Sequence, residues 1–126
     1  MKLKITSFLL ILAAISISHN TAFAQLSTYG YTGAVQYYTV PAGVTSVRID
    51  AKGAGGGSGN GGPGGDGACM SGTFDVTPGE ILTVIVGGQG LQWGNSGGGG
   101  GGSGVLTSGG LPLIIGGAGG GGAVNA

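Results

Sequence analysis

The chain has 126 residues, of which 34 are glycine, and it carries only four basic and four acidic side chains. So few charges provide neither a basic patch for a nucleic-acid backbone nor a polybasic signal for a membrane surface. Nucleic-acid partners are therefore not expected, and the length after residue 24 suits one small domain.

Residues 1–24 have the pattern of a bacterial signal peptide. A short basic start precedes the apolar run 5–18, and Ala22-Phe23-Ala24 is a small-x-small cleavage site. The run is shorter than the ~20 residues of a membrane span. We predict cleavage near Ala24, a secreted or cell-surface location, and no membrane span in the mature chain.

The mature chain lacks the parts of a catalytic or metal site. His19 leaves with the leader, and Cys69 is the one cysteine, so no internal disulfide can form. Asp66, Asp75 and Glu80 are scattered over different segments, whereas paired catalytic carboxylates need a shared geometry. We predict no catalytic residue, no metal site and no cofactor, and the pattern assigns no role to Cys69.

The remaining chain divides into a lead-in, residues 25–40, and a glycine-rich β domain, residues 41–126. Residues 36–40 could supply a first strand. From Val44 to Lys52, apolar and polar residues alternate with a period of two, which predicts a strand with one buried face.

Two later pairs of strands are predicted. Residues 69–76 and 81–86 flank a Thr-Pro-Gly-Glu turn, so we expect a hairpin or meander, with the apolar run 81–86 buried on both faces. Residues 105–107 and 111–115 flank Ser-Gly-Gly, and Pro112 suits an edge or a strand start. Helical periodicity is absent after the leader, so the predicted fold class is all-β.

Three glycine tracts lie between these strands, at residues 53–67, 97–102 and 116–122. Linkers would join independent units, but the flanking segments are too short to be units. A Gly-x-Gly-x-x-Gly match at residues 57–62 has no following helix and is expected by chance among so many glycines, so no nucleotide is predicted. Four prolines are too few for collagen.

We therefore expect the tracts to pack as polyglycine II helices. In triplets, four of the five non-glycine residues of 53–67 occupy the middle position. A left-handed helix with three residues per turn would place that position on one exposed line. Bare glycine lines would let neighbouring backbones approach and exchange hydrogen bonds. Flexible surface loops are the alternative.

Four motifs occur in a recognisable order: VRIDAKGAGGG, GTFDVTPGEILTVIVGGQG, GGGGGGSGVL and LPLIIGGAGGGG. Together they resemble the glycine-rich extracellular domain of the anaplastic lymphoma kinase and leukocyte tyrosine kinase receptors. They resemble equally the related bacterial and phage glycine-rich domains, including tail-fibre-tip modules. The resemblance covers residues 41–122, and residues 85–90 and 111–122 are its specific parts.

The resemblance implies a jelly-roll-like β-sandwich with inserted polyglycine II helices. This chain has no kinase domain, no set of paired cysteines and only a short insert, LQWGNS, at residues 91–96. Kinase activity and cytokine binding therefore do not transfer. Because the sequence stops soon after a glycine tract, we also expect the sandwich to be C-terminally incomplete.

The loop at residues 92–96 contains the candidate contact residues Gln92, Trp93 and Asn95. An aromatic residue among polar neighbours suits contact with a glycan or protein. The alternative, which we favour from the sequence, is that Trp93 caps the thin core.

Three functions are compared: an adhesin-like module that binds a surface glycan or a protein, a rigid spacer of a larger extracellular protein, and an enzyme, which is the least favoured.

Overall fold

The computed structural model describes residues 25–123, and the predicted leader lies outside the described residues. These residues form eight strands and no helix, so the predicted all-β class is confirmed. The strands are β1 (Gln36–Thr39), β2 (Ser46–Lys52), β3 (Cys69–Asp75), β4 (Ile81–Ile85), β5 (Gln92–Trp93), β6 (Ser96–Gly97), β7 (Ser103–Leu106) and β8 (Pro112–Gly116).

The larger sheet has four antiparallel strands in the order β1-β4-β7-β8. β1 pairs Gln36 with Val84, so the lead-in supplies an edge strand of this sheet. β7 and β8 form the predicted pair around residues 107–111, with a register shift between Val105 and Leu106. Pro112 begins β8 at the other edge, where a missing N–H costs no ladder bond.

The smaller sheet pairs β2 with β3, and this corrects one prediction. Residues 69–76 and 81–86 do not form a hairpin: β3 pairs with β2, whereas β4 pairs with β1 and β7. The turn at 77–80 forms, with Glu80 N–H donating to the Thr77 carbonyl over 3.0 Å. This turn carries the chain from the smaller sheet to the larger one. β2 and β3 pair although the glycine-rich residues 53–68 separate them in sequence.

The core lies between the larger sheet and the smaller sheet, which rests on β7 and β8. Its buried residues are Val40, Ala51, Leu82, Val84, Val105 and Ile114. The expectation that residues 81–86 are buried on both faces is wrong. Leu82 and Val84 face the core, but Ile81 is 50% exposed and Ile85 is 41% exposed, because the outer face of this sheet has no covering layer within residues 25–123.

Five glycine segments extend away from the two sheets: residues 53–59, 62–68, 87–91, 97–102 and 117–123. We call them the first to fifth glycine segments. The first is the centre of this glycine bundle, because its backbone bonds to each of the other four. Gly56 donates to Gly65, Gly57 to Gly98, Gly90 to Gly55 and Gly119 to Ala54, over 2.8–2.9 Å.

Hydrogen bonds between the segments repeat every third residue. Residues 53, 56 and 59 donate to the second segment, and residues 54 and 57 donate to the fourth. The fourth in turn donates from residues 97 and 100 to the fifth. A β ladder alternates with a period of two, so these contacts are not β pairing. Three is the period of a polyglycine II helix.

The tract 53–67, treated above as one helix, is two antiparallel segments. A bridge between Gly59 and Gly62 turns the chain, and Gly62 has a φ of +149°. The turn resets the triplet phase, and the predicted single exposed line of middle positions is wrong. Gly57 holds a middle position and is buried, because it packs against the backbone of residues 90 and 91.

The packing of the bundle excludes a side chain at regular positions. A Cβ added at twelve of the glycines, most of them spaced three apart, would overlap a neighbouring backbone: Gly53, Gly56, Gly59, Gly64, Gly67, Gly87, Gly90, Gly97, Gly100, Gly116, Gly119 and Gly122. Gly57, Gly101 and Gly121 are equally close to a neighbouring backbone and lie outside this spacing. Ser103, buried at the start of β7, joins bundle and sheet, since its hydroxyl accepts from Gly87 N–H over 3.0 Å.

Two adjacent glycines provide a matched test of this packing. A Cβ at Gly119 would overlap the Gly65 carbonyl, whereas within the described residues no atom lies within 4 Å of a Cβ at Gly120. We expect Gly119→Ala to destabilise the protein by about 3 kcal/mol or more. Gly120→Ala should be neutral or stabilise it by ~0.4–1 kcal/mol through the unfolded state.

Urea unfolding of both variants measures these free energies. Equal effects of the two alanines would contradict the packed bundle, because flexible loops would not distinguish neighbouring positions.

Candidate functional site

Three parts of the chain meet at the end of the glycine bundle remote from the sheets. They are the turn at 59–62, the β5–β6 hairpin at 92–97, and Ala123, whose carbonyl accepts from Gly61 N–H over 2.9 Å. We call this end, residues 59–62 and 91–96, the distal tip. The glycine segments hold the distal tip away from the sheets, because the third segment leads out of β4 to the hairpin and the fourth leads from the hairpin back into β7.

The β5–β6 hairpin has a two-residue turn, Gly94-Asn95. Trp93 pairs with Ser96, and Gly94 has a φ of +57° while Asn95 has a negative φ. These signs match a type II′ turn, which requires glycine at its first central position. The Gln92 side-chain amide donates to the Gly94 carbonyl over 3.2 Å. The turn is therefore held from within the hairpin.

A pair of asparagines joins the hairpin to the turn at 59–62. Asn60 N–H donates to the Asn95 carbonyl over 2.9 Å, and the Asn60 side-chain NH₂ donates to the Asn95 side-chain oxygen over 2.7 Å. Both residues are exposed. Each amide keeps groups that can bond to a ligand, because asparagine has two donors and two acceptor lone pairs.

Trp93 is exposed at the distal tip. Its exposed fraction is 87%, and the neighbouring Leu91 is 78% exposed. The favoured interpretation from the sequence, in which Trp93 caps the core, is wrong: the glycine segments separate the tryptophan from the core. An exposed indole beside polar amides can stack on a sugar ring or enter a protein interface.

The structure brings Gln92, Trp93 and Asn95 together in one hairpin, as expected from their sequence proximity. It adds Asn60 and Leu91, which sequence reasoning missed. The turn signal Gly61-Gly62-Pro63 after Asn60 could have placed that residue at a reversal, but its partner in space was not predictable from the pattern.

The carboxylates are dispersed as the sequence indicates. Asp66 is exposed in the second glycine segment, and Asp75 ends β3. Glu80 accepts a hydrogen bond from Thr77 N–H over 3.2 Å, which closes its own turn. Among residues 25–123, no three histidine, cysteine or acidic side chains lie together as metal ligands would.

No protein-family model matches the sequence, and a search of curated proteins finds no match. In the part of the chain that the structure describes, no helix is long and apolar enough to cross a bilayer.

Trp93 is the single tryptophan of the chain and reports directly on the distal tip. Because its indole is exposed, acrylamide should quench its fluorescence almost as efficiently as it quenches free N-acetyltryptophanamide. The quenching constant of the native protein should also change little on unfolding in urea. Strong shielding in the native state, relieved by urea, would contradict the exposed position.

Proposed function

We propose that this protein is a non-catalytic, secreted or cell-surface module that binds a surface glycan or a protein through its distal tip. The observation that carries the proposal is the exposed Trp93 beside the bonded Asn60–Asn95 pair. A large exposed aromatic residue among amides is typical of interaction surfaces rather than of a protein surface in general.

The glycine bundle gives the distal tip a stiff support in this proposal. We infer that its segments are polyglycine II helices, because their hydrogen bonds repeat every third residue and their close contacts are backbone to backbone. A rigid support lowers the entropy lost when the tip is ordered on binding.

The proposed architecture is a jelly-roll-like sandwich of the kind found in glycine-rich receptor and phage domains. Two antiparallel sheets around one core, with glycine segments inserted between their strands, support it. The leader-like pattern of residues 1–24 supports export from a bacterial cell. Adhesion is inferred from the distal tip, and no receptor activity is transferred.

A rigid spacer with no specific ligand is the second candidate. It is favoured by the first glycine segment, which bonds to all four neighbours and makes the bundle an extended, cross-linked rod without any requirement for a ligand. The two functions differ in whether the exposed side chains of the tip matter.

The proposal is tested by binding of the protein to glycan arrays and to bacterial and host cell surfaces. Trp93→Ala should reduce binding at least ~30-fold, since truncating an aromatic anchor costs about 2 kcal/mol or more. Tyr37→Ala is the matched control: Tyr37 is also an exposed aromatic residue, but it lies on β1, away from the distal tip.

Both variants should keep the wild-type midpoint in thermal unfolding. Absence of binding by the wild-type protein, or equal binding by the wild type and Trp93→Ala, would exclude binding through the distal tip and favour the spacer.

A further inference from the structure

Within residues 25–123, β2 has one unpaired edge, because β3 is its only neighbour in the strand order of this part of the chain. Bonds between Thr45 and Val76 and between Gly53 and Ala68 show that the odd-numbered residues of β2 bond to β3. Antiparallel ladders alternate, so the N–H and C=O groups of Ser46, Arg48, Asp50 and Lys52 point to the other edge. Such an edge is a template for another strand.

A groove of about 1480 Å³ runs beside this edge. Leu82, Val84 and Val105 of the larger sheet lie at its bottom and are already buried, and residues 25–29 also line it. No residue of β3 or β8 lines it, so it lies on the unpaired side of β2. The smaller sheet packs on β7 and β8, and the groove lies over β4 and beside β1, on the side of β2 remote from β3.

The apolar side chains around this groove are incompletely buried. Val47 and Ile49 of β2, Val86 beyond β4, and Tyr38 of β1 pack against the core but are only half-buried. A further strand over β4 would remove more of their apolar surface from water, which favours binding.

The outer face of β2 carries alternating charges. Arg48, Asp50 and Lys52 lie on this face, and Arg48 Nε is 3.4 Å from Asp50 Oδ1. A hydrogen bond to Ser71 is the main reason that the pKa of Asp50 lies below its usual value. Desolvation opposes this shift, and the charge of Arg48 and its hydrogen bond contribute less. The row is therefore plus, minus, plus at neutral pH.

We propose that the groove binds an extended segment of a partner protein, which adds to β2 as an antiparallel strand above β4. The free backbone groups select an extended chain. The half-buried apolar side chains around the groove select apolar residues at every second position. The charge row selects acidic, basic and acidic residues at the positions opposite Arg48, Asp50 and Lys52. β2 offers seven residues, a strand of ~23 Å.

A second copy of the folded chain does not fit this groove. The larger sheet continues beneath the free edge of β2 through β4 to β1. If the β2 strands of two copies paired edge to edge in a continuous sheet, β4 and β7 of the second copy would overlap β4 and β7 of the first. The groove therefore suits a single segment, and the proposal is independent of the distal tip.

The test uses the nine-residue synthetic peptide Thr-Val-Glu-Val-Lys-Val-Glu-Val-Thr. Two N-methylated forms serve as matched probes. In the first form, the backbone nitrogens of the glutamate and lysine residues are methylated, which removes the N–H groups that face β2 in an antiparallel pair. In the second form, the backbone nitrogens of the valine residues are methylated, which removes N–H groups that face away from β2. Titration followed by amide NMR of the protein measures affinity and locates the site.

The parent peptide and the valine-methylated form should bind and shift the amide signals of Arg48 and Asp50. The form methylated on the glutamate and lysine backbone nitrogens should bind more than ~10-fold more weakly, because the hydrogen bonds that those N–H groups would donate to β2 are lost. Ile49→Arg should abolish binding by placing a charge in the groove, whereas Ile115→Arg, on the exposed face of β8, should leave it unchanged.

No binding by the parent peptide would overturn the proposal, as would equal or reversed sensitivity to the two methylation patterns. Sedimentation of the protein, alone and with the peptide, tests whether a second copy of the chain occupies the groove instead. A dimer that the peptide dissociates would assign the groove to that second copy and overturn the proposal as well.

Discussion

The structure depends on satisfying the backbone of closely packed glycine segments. Buried N–H and C=O groups need partners, and the first glycine segment, enclosed by four others, has no helix or β ladder of its own to supply them. Neighbouring segments supply them at every third residue. Because the backbones touch, a Cβ at the contact positions has no room, and glycine becomes a packing requirement rather than a sign of flexibility.

The sheets and the bundle support each other through this constraint. Each glycine segment leaves or enters a strand, so β2 and β3, and β4 and β7, fix the segments at one end. The Ser103 hydroxyl and the paired asparagines, Asn60 and Asn95, add contacts at the two ends of the bundle. The apolar core is small, so its burial contributes only the modest stability that is typical of a small domain. The hydrogen-bonded bundle therefore carries the distal tip away from the core without a hydrophobic interior.

Local patterns predicted the strands because alternation and turn chemistry are local signals. The strands at 46–52 and 112–116 lie where period two and Pro112 place them. Pairing was less accessible: a tight turn at 77–80 suggested a hairpin, but β3 bonds to β2 across 16 intervening residues. Exposure of Ile81, Ile85 and Trp93 was also missed, since an apolar sequence does not show whether a second layer covers it.

The central claim is most directly tested by amide hydrogen exchange, resolved by residue, in the glycine segments. Slow exchange is predicted at Gly56, Gly57, Gly65, Gly100 and Gly119, which donate between segments, and fast exchange at Gly55, Ser58 and Gly99, which donate no backbone bond within residues 25–123. This alternation with a period of three, beside protected strand amides, would establish the hydrogen-bonded bundle. Uniformly fast exchange of all the glycine segments would contradict it.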